Sequence, residues 1–234
     1  MTKNIGLSRN IKIDWLNETA NYLQSEKDEK RLKEHLSQYL SYEIKSEINN
    51  RKTCKILMNI WFCKDIEANK IHQQALYLIK LYPEYSMAIH WSMIIKAYPV
   101  FADICKIIGQ IAKFQDIFTN NQLKQKMFDE WGERSTLFYS IEKTLATLKE
   151  FGVIKNIKQG SYEICKQNIT NDEILLFMLK CFLLSDNKES RTLEELQNLA
   201  CFFPFNYNIT SNLILNSTEF KVFNLGGSLN ISAT

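Results

Sequence analysis

The chain has 234 residues, of which 45% are hydrophobic and 24% charged, and its formal net charge is +3. This balance is ordinary for a globular protein, so it excludes collagen-like and largely disordered chains, and the length is enough to bury a sizeable core. The scarcity of glycine and proline favours a compact, mostly helical body, and the weak positive charge tolerates a polyanionic partner without requiring one.

The N-terminal region, from about Ile11 to Gln115, is predicted to be helical because its apolar residues recur at spacings of three and four. Two of these helices end before prolines, where chain sterics disfavour the helical conformation. The helix after the first of these prolines is almost wholly apolar and is expected to be central and buried. In chain order, the predicted helices start near Ile13, near Ser25 and after Asn49-Asn50, and then cover Ile66–Leu81, Glu84–Ala97 and Phe101–Phe114.

A helix is predicted to begin near Asn120, because Thr119 and Gln122 have the spacing of a capping box. Its apolar residues recur at helical spacing as far as Trp131. Gly132 then suits a left-handed C-terminal stop.

A second helix follows after the short connection Gly132-Glu133-Arg134, with Ser135 and Thr136 as candidate caps and Gly152 as its stop. A turn of three or four residues that contains glycine is typical of a helix-turn-helix. The side chains expected to face inward are Phe138, Ile141, Leu145 and Leu148.

The next segment is predicted to be a β-hairpin, with short β-prone runs from Val153 to Lys158 and from Ser161 to Cys165 around Gln159-Gly160. Helix, turn, helix and hairpin in this order indicate a winged helix-turn-helix, a unit that usually reads nucleic acid. The sequence therefore predicts a protein that binds double-stranded DNA.

The candidate DNA contacts are polar or basic side chains on the second helix, on the hairpin and on an upstream basic cluster. Residues at the start of the second helix favour phosphate, and those on its polar face have the length to reach base edges. For the upstream cluster, the alternative interpretation is a solvated first helical turn. The candidates are Arg134, Ser135, Thr136, Tyr139, Ser140 and Lys143 on the helix, Lys155, Lys158, Ser161 and Tyr162 on the hairpin, and Arg51, Lys52 and Lys55 upstream.

The charge of the winged unit is a weak electrostatic signal for DNA. Between Phe118 and Lys166 there are eight lysines and arginines against six acids, a net charge of +2. Winged helices also act as dimerisation or scaffold modules, so the alternative function is a structural or adaptor subunit whose winged helix contacts protein.

The C-terminal region is predicted to be a small α+β domain. Thr170 with Glu173 and Thr192 with Glu195 have capping-box spacing and open helices that are expected to end near Leu184 and Phe202. The stretch 219–232 is typical of a hairpin that turns at Gly226-Gly227. The predicted domains are therefore 1–98 (helical), 99–167 (winged helix-turn-helix) and 168–234 (α+β).

No catalytic constellation is visible in the sequence, and we expect no enzymatic activity, no cofactor and no metal. The six cysteines form no close pair, so we interpret them as reduced core residues. The three histidines stand apart and are expected to have packed or surface roles. The start of the chain lacks the apolar region of a signal peptide, and no apolar run is long enough to span a bilayer, so a cytoplasmic protein without a membrane partner is expected.

The sequence resembles the BrxA-type small DNA-binding proteins of BREX phage-defence systems over about half of its length. The resemblance rests on Asn49-Asn50-Arg51-Lys52-Thr53, on Glu130-Trp131, on Arg134-Ser135-Thr136 and on the periodic segment LFYSIEKTLATLKEFGVI. It implies a mainly helical, non-enzymatic bacterial accessory factor that binds DNA beside larger defence proteins.

Overall fold

The computed structural model describes residues 6–225 and 227–234. Over these residues the chain is mainly α-helical, as predicted, with small sheets and two short 3₁₀ helices. Gly226, one of the two glycines of the predicted C-terminal turn, lies outside the described residues.

Most of the described backbone lies in helices. The α-helices are α1 (Ile13–Ser25), α2 (Glu29–Ser41), α3 (Glu47–Trp61), α4 (Ile66–Leu81), α5 (Ser86–Ala97), α6 (Pro99–Ala112), α7 (Asn120–Trp131), α8 (Ser135–Glu150), α9 (Asp172–Ser185), α10 (Leu193–Gln197) and α11 (Ser211–Leu215). The 3₁₀ helices are η1 (Pro83–Tyr85) and η2 (Ala200–Phe202).

Within the described residues the strands are short and form three small sheets. They are β1 (Ile117–Thr119), β2 (Ile154–Lys158), β3 (Ser161–Ile164), β4 (Gln167–Asn168), β5 (Arg191–Thr192), β6 (Phe205–Asn206), β7 (Phe220–Leu225) and β8 (Ser228–Ala233). The strand orders are β1-β3-β2, β4-β6 and β5-β8-β7, and all pairs are antiparallel except the parallel pair β4-β6.

The chain folds into two compact units. The first comprises residues 1–101 and 133–152, and the second comprises 102–132 and 153–234. Helix α8 therefore belongs to the first unit, whereas α7 and the β2–β3 hairpin belong to the second. The domain boundaries predicted at residues 98 and 167 stay predictions.

The first unit has α5 in its core. Every residue from Met87 to Ile95 is buried, which confirms the central position expected for this apolar helix. Trp91 packs edge-on against Phe101, with their ring centroids 5.3 Å apart. The predicted start at Glu84 was wrong by two residues, because a 3₁₀ turn from Pro83 to Tyr85 precedes the α-helix.

The helix ends of the second unit show how local signals compete. The capping box from Thr192 to Glu195 is present with both of its hydrogen bonds. The one predicted at Thr170 is wrong, because Asn171 is the cap and its side-chain carbonyl oxygen accepts from the backbone N–H groups of Glu173 and Ile174. Asparagine is at least as good a cap as threonine, and it stands one residue closer to the apolar run.

The C-terminal hairpin is confirmed, with β7 paired to β8 from Phe220–Ala233 to Leu225–Ser228. The helix predicted to reach Phe202 was too long. Helix α10 ends at Gln197, and the chain re-enters a helical turn only in η2.

Candidate nucleic-acid interface

The connection between α7 and α8 has the length predicted for a helix-turn-helix. Thr119 and Gln122 form the full capping box at the start of α7. Helix α7 ends at Trp131, where Gly132 adopts φ 76° and ψ 150°, a conformation that side-chain-bearing residues rarely adopt. Helix α8 then begins at Ser135, so three residues join the two helices.

The first turns of α8 present polar groups to solvent. Arg134, Ser135 and Thr136 are exposed, Tyr139 is 63% exposed, and Lys143 is half-buried. Positions 135, 139 and 143 are four residues apart and therefore lie on one side of the helix. Arg134 is the N-cap and makes no side-chain capping hydrogen bond, so Ser135 is the first helical residue and not the predicted cap.

Ser140 does not belong to this exposed surface, and its predicted role in DNA binding is wrong. It is only 3% exposed, and within the described residues its hydroxyl has no hydrogen-bond partner. A Cβ added to Gly6 would lie 2.2 Å from Ser140 Oγ, so backbone of the N-terminal segment covers this side chain. Ser140 lies beside Ile141 and Thr144 on the buried side of α8.

Phe138 was expected to face inward, and this prediction is also wrong. Its side chain is 40% exposed and stands edge-on to Tyr139, with ring centroids 5.9 Å apart. The buried stripe starts instead at Leu137 and continues through Ile141 and Leu145. The four-residue spacing of these aliphatic residues is the sequence signal that would have identified the buried face correctly.

The predicted β-hairpin is present as β2 and β3, joined through Gly160 at φ 70°. Lys155 and Lys158 are exposed on β2. The Lys155 ammonium lies 2.6 Å from a carboxylate oxygen of Glu163, and this hydrogen bond raises the pKa of Lys155. The positive charge of Lys155 is thus partly neutralised by a carboxylate of the same hairpin.

Ser161 and Tyr162 are buried, which contradicts their predicted contact with DNA. They are 3% and 7% exposed. The reason is β1, a strand that the sequence did not predict. It pairs with β3 and makes β3 the central strand, and it places Phe118 opposite Tyr162 with ring centroids 5.3 Å apart.

The upstream cluster lies on α3 in the first unit. Arg51, Lys52 and Lys55 are exposed, whereas Thr53 and Cys54 between them are buried. The exposed candidates therefore form three groups: the start of α8 and the α3 cluster in the first unit, and the lysines of β2 in the second.

The described residues offer neither a metal site nor a membrane span. Among residues 6–225 and 227–234, no group of three or more His, Cys, Asp or Glu side chains is arranged to hold a metal ion. None of the helices in the described part of the chain combines the length and the apolar character needed to cross a membrane.

No protein-family model, no curated protein and no solved structure matches this chain.

Proposed function

We propose that this chain is a non-enzymatic, cytoplasmic protein that binds duplex DNA through α8. The observation that carries the proposal is the cluster of exposed Arg134, Ser135, Thr136 and Tyr139 at the start of a helix that follows a three-residue, glycine-containing turn. In a helix-turn-helix this part of the second helix is the part that contacts base edges.

The chemistry of these side chains suits the two kinds of DNA contact. The guanidinium of Arg134 and the backbone N–H groups at the helix start favour phosphate oxygens. Thr136 and Tyr139 carry hydroxyl groups that donate to or accept from base edges in the major groove. Lys143, one turn beyond Tyr139, adds a phosphate contact, and no cofactor is required.

The hairpin supplies a second, weaker element of the proposal. Lys158 and Lys155 are exposed and suit the phosphate backbone, although Glu163 partly neutralises Lys155. With Ser161 and Tyr162 buried, the hairpin offers charge and no base-reading side chain from that pair. We propose, from the resemblance to BrxA-type proteins, that the DNA-binding chain serves beside larger phage-defence proteins.

The test is a fluorescence-anisotropy titration against random duplex DNA, at low and at near-physiological salt. Binding by the wild type should weaken steeply as salt rises, because each phosphate contact releases counterions. Arg134→Glu combined with Lys143→Glu should lower affinity by at least about tenfold without unfolding the protein.

The matched control is Lys27→Glu combined with Lys113→Glu, which changes net charge equally at two exposed positions outside the proposed contacts. It should bind DNA nearly as the wild type does. Unchanged affinity in the α8 variant, or equal loss in the control, would refute α8 as the binding surface.

An adaptor role is the alternative function, and one observation favours it. Phe138 and Tyr139 expose adjoining aromatic rings at the start of α8, and aromatic side chains are enriched where proteins contact one another. The adaptor role would be supported if the wild type fails to bind DNA even at low salt but binds a partner protein in a pull-down. A Phe138→Ala, Tyr139→Ala variant should then lose that partner.

A further inference from the structure

A cleft of about 490 Å³ lies between α2 and α3 in the first unit. Lys33, Ser37 and Ser41 line it from α2, Asn50 and Arg51 line it from α3, and Lys45 lines it from the linker between the two helices. A volume in the range of about 300–1,000 Å³ is typical of small-molecule sites.

Partly buried hydrogen bonds join the two walls of the cleft. Asn50 is 6% exposed; its amide donates to the backbone carbonyl of Ser37 at 2.9 Å and accepts from the Ser37 hydroxyl at 3.3 Å. One turn further along α3, buried Cys54 contacts the carbonyl oxygen of Lys33 at 3.8 Å. The two walls are therefore held at a fixed spacing before any ligand arrives.

The cleft is electropositive. Lys33, Lys45 and Arg51 are exposed at its walls, and within the described residues none of them forms an ion pair with a carboxylate. The Lys45 ammonium donates to the Ser41 carbonyl at 3.3 Å, and both residues line the cleft. Glu47 is the one acidic residue in the described lining, so three cationic side chains face one carboxylate.

Such a set of donors recognises phosphate. A guanidinium binds two phosphate oxygens in a planar fork, and ammonium groups add point charges. Duplex DNA, by contrast, contacts proteins over a surface of about 1,000 Å² or more, which a recess of this size does not provide.

We propose that the α2–α3 cleft is a binding site for a small molecule that carries a phosphate or diphosphate group. Arg51 on one wall and Lys33 on the other clamp the anion between the helices, and Lys45 closes the end formed by the linker. The site is independent of the DNA-binding surface proposed on α8.

The experiment is calorimetric titration of the full chain with inorganic pyrophosphate. The test variant is Lys33→Ala with Arg51→Ala, and the matched control is Lys27→Ala with Lys30→Ala. The control removes the same charge from exposed positions at the other end of the α2 segment, outside the cleft lining. We expect the wild type and the control to bind pyrophosphate and the test variant to lose at least about tenfold in affinity.

Circular dichroism and the thermal midpoint establish that each variant is folded. Lys45→Ala alone, in the linker, is a second variant that should also weaken binding, and it keeps the test decisive if the double variant is unstable. Absence of pyrophosphate binding by the wild type, equal loss in the control, or displacement of pyrophosphate by a short duplex DNA would overturn the proposal.

Discussion

His90 is a fully buried imidazole whose two ring nitrogens have unequal surroundings. Its Nε2 lies 2.9 Å from the side-chain oxygen of Asn17, whereas Nδ1 has no hydrogen-bond partner in the described part of the chain. The ring of Trp61 stands edge-on to it, with ring centroids 5.1 Å apart. Burial lowers the pKa of His90 to about 3, so the neutral ring is the form that the core accommodates.

This burial makes stability depend on pH. In the unfolded chain His90 titrates at its ordinary pKa of 6.5, so between pH 6.5 and pH 3 the unfolded state binds a proton that the folded state does not. The stabilisation is therefore full above pH 6.5 and is lost as the pH falls through this window. From pH 7 to pH 5 the free energy of unfolding should drop by about 2 kcal/mol from this residue.

Urea unfolding of the wild type and of a His90→Gln variant at pH 7, 6 and 5 measures the effect. Glutamine retains a donor toward Asn17 and does not titrate, so its stability should fall less over this range. Parallel pH dependence in the two proteins would contradict the assignment to His90.

Helix α6 and the 3₁₀ helix η2 make a close backbone approach at Gly109. A Cβ placed on Gly109 would lie 1.9 Å from the carbonyl oxygen of Ala200 and 2.7 Å from its carbonyl carbon. Backbone atoms cannot rotate away as the end of a side chain can. The packing therefore requires glycine at this position, although glycine has a low helix propensity.

Gly109→Ala should destabilise the protein by about 2 kcal/mol, because the strain of displacing η2 exceeds the gain of about 1 kcal/mol in helix propensity. Gln110→Ala, at the exposed neighbouring position, is the control and should change stability by less than about 0.5 kcal/mol. Chemical denaturation of the two variants compares them directly. A Gly109→Ala protein as stable as the wild type would show that η2 moves away at little cost.

The six cysteines report on the opening of the molecule as a whole. Within the described residues none of them forms a disulfide bond; Cys54, Cys105, Cys181 and Cys201 are buried, and Cys63 and Cys165 are partly accessible. Burial also raises the pKa of the Cys201 thiol to about 12, which suppresses the reactive thiolate. The predicted core position is thus confirmed for four of the cysteines.

With a thiol-reactive chromophore, the native protein should label at Cys63 and Cys165, and the buried cysteines should react only as denaturant opens the fold. Cys54 lies in the first unit and the other three buried cysteines in the second, so mapping the labelled peptides follows each unit separately. A Cys63→Ser, Cys165→Ser variant should show no fast reaction. Rapid labelling of that variant would contradict the buried positions.

Much of the local structure could be predicted from the sequence, because it depends on neighbours along the chain. The capping boxes at Thr119 and Thr192, the stop at Gly132 and the hairpin turn at Gly160 depend on residues within a few positions. The length of the connection from α7 to α8, on which the DNA-binding proposal rests, is of this kind.

Only the tertiary structure decided which side chains of the candidate interface reach solvent. Ser140 is covered by the distant segment at Gly6, and Tyr162 is buried because the three-residue strand β1 pairs with β3. The cationic cleft likewise combines Lys33 and Arg51 from two helices. Which side chains are exposed, and which ones meet at a cleft, depends on contacts between residues far apart in sequence. The spacing of apolar residues and the capping motifs reflect only contacts between near neighbours along the chain.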